Sequence, residues 1–205
     1  MGSATTQMIL RAWWDRLRGR LVPGPFPFSE ARILDLPMRA RVASPERILT
    51  AFGLAAGEQV LEIGPGNGYY SIEAARRVEP RGRLICLDIQ SEMLLAARRR
   101  TRENGLDRVA YVQGGASALP FRSGSIDHLF LITVLGEIPD RPRALSEFAR
   151  VLRPRGRLSI SEQFPDPDFM PRASLRRILA AAGFVEVATR GRLWLTSTWK
   201  LDAGR

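Results

Sequence analysis

Three glycines between two acidic residues form the part of this sequence best suited to binding a nucleoside. Gly64, Gly66 and Gly68 follow an apolar run that includes Glu62, and Asp88 ends the next apolar run. Glycines at such a point allow a tight turn and let a ligand approach the backbone closely. A carboxylate about 20 residues after such a turn accepts hydrogen bonds from the hydroxyl groups of a ribose. The residue types and their spacing therefore predict a site for a nucleoside-containing cofactor.

The spacing of the glycines leaves more than one class of nucleoside cofactor open. Nicotinamide-dependent enzymes use Gly-x-Gly-x-x-Gly, in which the last glycine packs the helix on the strand. Here the glycines occupy every second position, and Tyr69 and Tyr70 follow them in place of a small residue. This spacing disfavours a nicotinamide-dependent oxidoreductase, which remains an alternative interpretation.

Five segments, taken in order, resemble the motifs of class I S-adenosylmethionine-dependent methyltransferases of the ubiquinone/menaquinone-biosynthesis type. The glycine turn belongs to the first of them, and the set is spread over about half the chain, at residues 60–68, 87–93, 113–121, 134–140 and 147–158. The resemblance implies an enzyme that uses S-adenosylmethionine as the methyl donor and releases S-adenosylhomocysteine.

The resemblance also implies a set of residues that line the cofactor. Asp88 would hold the ribose diol, Ile89 would pack on the adenine, Gly115 and Ala116 would border the adenine edge, and Thr133 would lie beside the methionine. The glycines of the turn would run along the methionine and the ribose. The full implied set is Glu62, Gly64, Pro65, Gly66, Gly68, Asp88, Ile89, Gly115, Ala116 and Thr133.

Three positions in these motifs have consequences for the chemistry. Glu62 would either orient the turn or meet the amino group of the cofactor. Many relatives carry Asp at the position of Gly115, so either a backbone group or Ser117 takes over the contact with the adenine amino group, or the affinity for the cofactor is lower. Many also carry Glu-His where this chain has Gly136 and Glu137, which leaves Glu137 as the candidate general base. An ordinary loop carboxylate is the competing interpretation of Glu137, and a non-catalytic methyltransferase-like binding module is a further alternative for the chain.

Alternating strand and helix patterns begin at Ser44 and predict the scaffold that positions these residues. Strands are predicted at 59–63, 83–89, 109–113, 126–134, 158–162, 184–189 and 193–201, and helices at 45–52, 69–78, 91–104, 142–152 and 174–182. This alternation predicts an α/β fold with a Rossmann-like, doubly wound and mostly parallel sheet. The last two strands are too close in sequence for a crossover helix, which predicts a C-terminal antiparallel hairpin.

Residues 1–40 differ from the rest and are interpreted as an extension of a methyltransferase domain at 41–205. Residues 7–21 carry an apolar stripe with tryptophans, interleaved with arginines, which predicts a basic amphipathic helix. Such a helix can close the cofactor pocket as a lid or lie at a membrane interface.

The overall composition limits the class of methyl acceptor and the expected location of the protein in the cell. The chain has 205 residues, a formal net charge of +10, one cysteine and one histidine. A zinc site with nitrogen and sulfur ligands is therefore excluded, and no metal is predicted. The basic charge suits an anionic partner, but the sequence after the fourth strand lacks the Asn/Asp-Pro-Pro-aromatic pattern of nucleic-acid base methyltransferases. We therefore expect a small-molecule or lipid-like acceptor and not a nucleic acid. The protein is expected to be cytoplasmic, either free or bound at the inner membrane surface through residues 7–21.

Overall fold

The computed structural model describes residue 27 and residues 43–164, 166, 168–192 and 194–202. The predicted amphipathic helix at 7–21 lies outside these residues. The predicted division of the chain at residue 40 also stays a prediction, because almost all of the preceding segment lies outside the described part.

Five α-helices and seven β-strands follow one another in the described residues. In chain order they are α1 (Pro45–Phe52), β1 (Gln59–Ile63), α2 (Ser71–Val78), β2 (Arg83–Asp88), α3 (Ser91–Glu103), β3 (Ala110–Gln113), β4 (Ile126–Ile132), α4 (Arg141–Val151), β5 (Leu152–Gln163), α5 (Arg172–Ala181), β6 (Phe184–Arg190) and β7 (Trp194–Leu201). A single turn of 3-10 helix, Leu135–Glu137, lies between β4 and α4.

The strands form one sheet in the order β3-β2-β1-β4-β5-β7-β6. The pairs from β3 to β5 are parallel, and β7 lies antiparallel between β5 and β6. The prediction of a mostly parallel Rossmann-like sheet with a C-terminal antiparallel hairpin is therefore confirmed. From β1 the chain builds outward through β2 and β3 on one side, and then returns to add β4 on the other side of β1. The strand order therefore reverses between β1 and β4, beside the glycine turn. Ligands bind at such a reversal point in open α/β sheets.

Local sequence signals account for most of the element boundaries. The first helix begins at Pro45 and ends at Gly53, whose φ of 69° and N–H bond to the Leu49 carbonyl form a left-handed cap. The third helix begins at Ser91, as predicted, and Gln90 occupies its N-cap position. The fifth strand is longer than predicted, because it starts directly where α4 ends.

Apolar side chains cover both faces of the sheet. Residues of α1 and α2, including Leu49 and Ala74, pack with Phe130 on one face. Residues of α4 and α5, including Phe148 and Leu175, form the core on the other face. This two-sided burial explains the near-continuous apolar sequence of β4. Among the described residues, no helix is long and apolar enough to span a bilayer.

The single histidine belongs to this buried interior. His128 is 0% exposed, its Nε2 lies 2.9 Å from Ser159 Oγ, and Arg157 donates to its Nδ1 at 3.2 Å. Ser159 continues the chain of hydrogen bonds to Thr198 at 3.0 Å. Burial lowers the pKa of His128, and the charge of Arg157 adds to this, while Glu58 opposes it only in part. The neutral imidazole therefore joins three strands of the sheet and has a structural role.

Replacing His128 by asparagine should change how stability depends on pH. At neutral pH we expect a loss of about 1–3 kcal/mol, because buried hydrogen bonds and packing disappear. In the unaltered protein, the free energy of unfolding falls as the pH drops below 6.5. The reason is that His128 binds a proton in the unfolded chain while it stays neutral in the folded chain. The variant lacks this component, so the difference between the two proteins should shrink with acidification. Urea denaturation across this range measures it, and a constant difference would contradict the assignment.

Candidate functional site

The glycine turn after β1 is built from backbone conformations that favour glycine. Gly64, Gly66 and Gly68 have φ values of 67°, 55° and 82°. Gly64 N–H donates to Leu87 O at 2.8 Å, which ties the turn to the end of β2, and Gly68 N–H donates to Pro65 O at 3.0 Å. Three left-handed residues alternating with ordinary ones fold the chain sharply between the strand and α2.

Two of these glycines are also fixed by close packing. A Cβ added at Gly64 would lie 2.6 Å from a methyl carbon of Val134, and one added at Gly68 would lie 2.9 Å from the Cα of Ala97. Gly68 therefore allows α3 to approach the turn, and Gly64 allows the residues after β4 to do so. The turn is held against both neighbouring elements.

The carboxyl group of Asp88 closes the same corner of the site. Asp88 is 8% exposed and is the last residue of β2, shortly before α3. It accepts hydrogen bonds from the backbone of Gly66, Ile89 and Gln90, the last at 2.9 Å. Burial raises the pKa of Asp88, and the three N–H groups offset this in part. A carboxylate is thus held between the glycine turn and the start of α3.

An open, partly apolar space adjoins Asp88. The Ile89 side chain is 57% exposed, although isoleucine is usually buried. A Cβ added at Gly115 would meet no atom within 4 Å, and Ala116 packs against the core beside it. An exposed aliphatic face, a gap and a buried carboxylate fit the adenine and the ribose of a nucleoside. Ser117, the predicted substitute for an aspartate at Gly115, donates to Asp140 O at 3.3 Å.

Glu62 lies beneath the turn. It is 2% exposed, and its Oε2 accepts from Ser71 Oγ at 2.6 Å and from Cys86 Sγ at 3.5 Å. Burial raises the pKa of Glu62 to about 7, against the lowering effect of these two donors. The carboxyl group therefore links β1 to β2 and to the first residue of α2, which fits the predicted role of orienting the turn.

The residues after β4 form the second half of the site. Thr133 has a φ of 55°, which is unusual for a β-branched residue and indicates backbone strain. Its N–H donates to Ser161 O at 2.8 Å. The 3-10 turn follows, and Arg141 holds it through bonds to Leu135 O and Gly136 O. The strain lies where the chain leaves the sheet beside the glycine turn.

Gly136 makes room for the segment that follows β5. A Cβ at this position would overlap the carbonyl oxygen of Asp168 and approach its carbonyl carbon at 2.9 Å. The segment therefore lies directly on the 3-10 turn. A local sequence pattern does not reveal this contact, because the two residues are far apart in the chain.

Alanine substitutions at two glycines should affect stability differently, because one glycine is closely packed and the other faces open space. Gly136→Ala is expected to lower stability by about 1–3 kcal/mol, because the backbone of Asp168 must move. Gly115→Ala is the matched control, since its added methyl group enters open space and should change stability by less than about 0.5 kcal/mol. Thermal unfolding of both variants provides the measurement. Equal melting temperatures would show that the segment containing Asp168 moves aside without lowering the stability of the protein.

A buried glutamate, Glu162, lies near the carboxyl end of β5. Glu162 is 1% exposed, and its Oε2 accepts from Met170 N at 3.3 Å. Burial raises its pKa to about 8, and the charges of Asp166, Glu137 and Asp168 raise it further. Glu137, the predicted base, therefore lies near a buried carboxyl that the sequence interpretation missed. The available signal was an acid at the end of an apolar strand, the same type of position as Asp88.

Comparisons with known proteins agree with this geometry. A family model described as a methyltransferase domain matches residues 61–160. The ubiquinone/menaquinone biosynthesis C-methyltransferase UbiE of Hahella chejuensis is 38% identical over 111 residues, which cover 54% of this chain and 45% of that protein. The arsenite methyltransferase of Halobacterium salinarum is 33% identical over 138 residues, which cover 65% of this chain and 35% of that protein. The match thus spans less than half of either relative.

A solved structure extends the similarity to most of the described fold. The crystal structure of a SAM-dependent methyltransferase from Aquifex aeolicus is 25% identical, with a TM-score of 0.79, and the match covers 85% of this chain and 98% of that chain. The glycine turn and the Asp88 carboxylate both lie within the residues 61–160 that the family model matches. Residues 61–160 therefore form a methyltransferase domain by similarity, in a fold shared with a SAM-dependent methyltransferase.

Proposed function

We propose that the chain transfers a methyl group from S-adenosylmethionine to a small-molecule or lipid-like acceptor. The observation that carries the proposal is the turn of three left-handed glycines, bonded through Gly66 to the buried Asp88 carboxyl. A nucleoside with a ribose diol matches that carboxyl, and the exposed Ile89 beside it offers an apolar surface for a base.

The described residues suit the different parts of the cofactor. Asp88 would accept hydrogen bonds from the ribose hydroxyls, Ile89 would pack on the adenine, and Gly115 with Ala116 would border its edge. Gly64, Pro65, Gly66 and Gly68 would follow the methionine and the ribose, above Glu62, and Thr133 would lie beside the methionine. When bound, S-adenosylmethionine supplies an activated methyl group, so the main task of the chain is to place the acceptor in line with it.

The acceptor class is inferred from the relatives and from the site. The names of the two curated relatives refer to ubiquinone/menaquinone biosynthesis and to arsenite, which are small-molecule chemistries. The acceptor would enter at the ends of β4 and β5, where Glu137 is the candidate base.

We further propose that residues 7–21 contact a membrane surface. Loss of sedimentation with anionic vesicles after their deletion would support this, and equal sedimentation would oppose it.

A labelled-methyl transfer screen on a lipid and metabolite extract tests the proposed activity. Incorporation of label that requires the protein and stops with excess S-adenosylhomocysteine is the expected result. A thermal-shift comparison addresses the alternatives: S-adenosylhomocysteine should raise the melting temperature, whereas NADH and NADPH should not. Stabilisation by a nicotinamide cofactor alone would favour the oxidoreductase, and cofactor binding without transfer to any acceptor would favour a non-catalytic binding module.

A further inference from the structure

The solvent-facing side of α3 combines an exposed leucine with arginines at helical spacing. Leu95 is 64% exposed. Three exposed arginines follow it at positions i+3, i+4 and i+7, and they are Arg98, Arg99 and Arg102. Residues with this spacing lie on one side of a helix. We refer to these four residues as the outer α3 face. The buried residues of the same helix are Met93, Leu94, Ala97 and Thr101.

The positive charge of the outer α3 face is only weakly compensated. Arg99 lies 3.9 Å from Glu103, and their side chains are 77% and 66% exposed. An exposed ion pair of this kind contributes little energy. Arg98 and Arg102 form no ion pair with a carboxylate in the part of the chain that the structure describes. The face therefore presents cationic groups to the solvent.

Two neighbouring arginines extend the positive charge around the end of α3. Arg76 donates to Asn104 Oδ1 at 3.3 Å, and Arg108 donates to Pro80 O at 2.8 Å. Both partners are neutral, so neither bond cancels the charge of the arginine. Within residues 91–108, five arginines outnumber the three acidic residues, which are Glu92, Glu103 and Asp107. An anionic partner of this surface is therefore electrostatically favoured.

The composition of the outer α3 face favours an anionic lipid surface over a nucleic acid. The phosphates of both partners attract arginines. Leu95 adds nothing at a phosphate backbone, whereas it can enter the boundary between lipid headgroups and acyl chains. Surfaces that bind single-stranded nucleic acids also use aromatic side chains for stacking, and the outer α3 face contains none. The helix dipole favours an arginine such as Arg102 in the last turn, but it does not account for the exposed leucine.

The position of α3 connects its outer face with the cofactor site. The helix begins at Ser91, shortly after Asp88 and Ile89. A helix of 13 residues is about 20 Å long. A surface that lies along α3 therefore passes close to the corner of the site that Asp88 closes. An acceptor dissolved in a bilayer would have a short path to that site.

We propose that the outer α3 face docks on a membrane surface that carries anionic lipids. Leu95 enters the interface between headgroups and acyl chains, and the three arginines bind lipid phosphates. This contact lies within the described domain, is separate from the one proposed for residues 7–21, and does not depend on methyl transfer. Two weak contacts on one chain together give more stable attachment than either contact alone.

Vesicle binding by the full chain tests the inference. The vesicles contain equal parts of phosphatidylglycerol and phosphatidylcholine. Combining Arg98→Gln, Arg99→Gln and Arg102→Gln should weaken binding by about 100-fold, because each basic residue near such a surface contributes about fivefold. Glutamine retains a high helix propensity, so α3 should stay intact. Binding of the unaltered protein should weaken as the salt concentration rises and should be lost on vesicles of phosphatidylcholine alone.

A second triple variant controls for net charge. Arg155, Arg177 and Arg192 are exposed and lie outside α3. Replacing these three by glutamine removes the same charge as the first triple variant and should leave vesicle binding nearly unchanged. Both triple variants should bind S-adenosylhomocysteine as the unaltered protein does.

A fluorophore at position 95 locates the contact on the protein. Leu95→Cys can be labelled selectively with an environment-sensitive fluorophore, because the natural cysteine, Cys86, is buried. Its emission should shift to shorter wavelength when the anionic vesicles are added. Val185→Cys is the matched control, since Val185 is an exposed aliphatic residue of the edge strand β6. The label at position 185 should show no shift.

Three results would overturn the inference. The first is equal vesicle binding by the two triple variants, and the second is an unchanged emission at position 95 on vesicles that bind the protein. The third is failure of the unaltered protein to bind the anionic vesicles while polyuridylic acid binds through the arginines of the outer α3 face, which would assign this face to a nucleic acid. S-adenosylhomocysteine binding tests the proposed function separately and is independent of all three.

Discussion

Replacing Asp88 by alanine should weaken the binding of S-adenosylhomocysteine by about 100-fold or more, which calorimetry can measure directly. A hydrogen bond to a charged group contributes about 1.5–3 kcal/mol, and a ribose diol can make two of them with one carboxylate. The variant also loses the acceptor for Gly66 N–H, so the glycine turn becomes less well ordered. We expect micromolar affinity in the unaltered protein and little measurable heat in the variant.

The pH dependence of this binding follows from the raised pKa of Asp88. The ribose hydroxyls donate to the ionised carboxylate, so the affinity should fall as the pH drops through the pKa that burial has raised. Glu92→Gln, which removes an exposed carboxylate in the first turn of α3, is the control and should bind normally. Unchanged affinity in Asp88→Ala would contradict the assignment of the ribose site.

Most of the helices and strands could be predicted from local sequence patterns, because nearby residues determine where these elements begin and end. The first strand has the predicted bounds of Gln59–Ile63, since an apolar run before a glycine cluster needs no distant information. The hairpin of β6 and β7 followed from a link too short for a crossover. The long β5 was not predicted, because the pairing of its first residues with β4 is irregular: the register shifts between Ile126 and His128.

The cofactor side of the site was more predictable than the acceptor side. Gly64, Gly66 and Asp88 lie in one strand-turn-helix unit and the strand after it, so their spacing in sequence reflects their spacing in the fold. By contrast, the contact between Gly136 and Asp168 joins two loops. The burial of Glu162 likewise depends on how the segment after β5 folds back. Such contacts depend on tertiary packing, which a periodicity does not describe.

Two buried glutamates in the site differ in how they are satisfied. Glu62 has its donors in Ser71 and Cys86 and serves the integrity of the turn. Glu162 has one donor, Met170 N–H, and an oxygen without a partner. The unpaired oxygen of the buried Glu162 carboxyl group therefore lowers the stability of the folded protein.

Glu162→Gln should accordingly stabilise the free protein at alkaline pH, by several kcal/mol. The pKa of Glu162 rises from 4.5 to about 8 on folding. Below pH 4.5 both the folded and the unfolded chain hold the proton, so the group is neutral in each. As the pH rises from 4.5 to about 8, the unfolded chain releases the proton and the folded chain keeps it. The free energy of unfolding then falls by up to about 1.4 kcal/mol per pH unit.

Urea denaturation of the two proteins as a function of pH isolates this effect, because every other titrating group is common to both. The stability difference in favour of the variant should grow between pH 4.5 and about pH 8 and then level off. Glu103→Gln should show no such trend, since that carboxylate is exposed. A difference that stays constant with pH would mean that Glu162 is ionised or paired in the folded protein. A difference that grows with pH would show that ionisation of the buried Glu162 carboxyl group destabilises the folded protein.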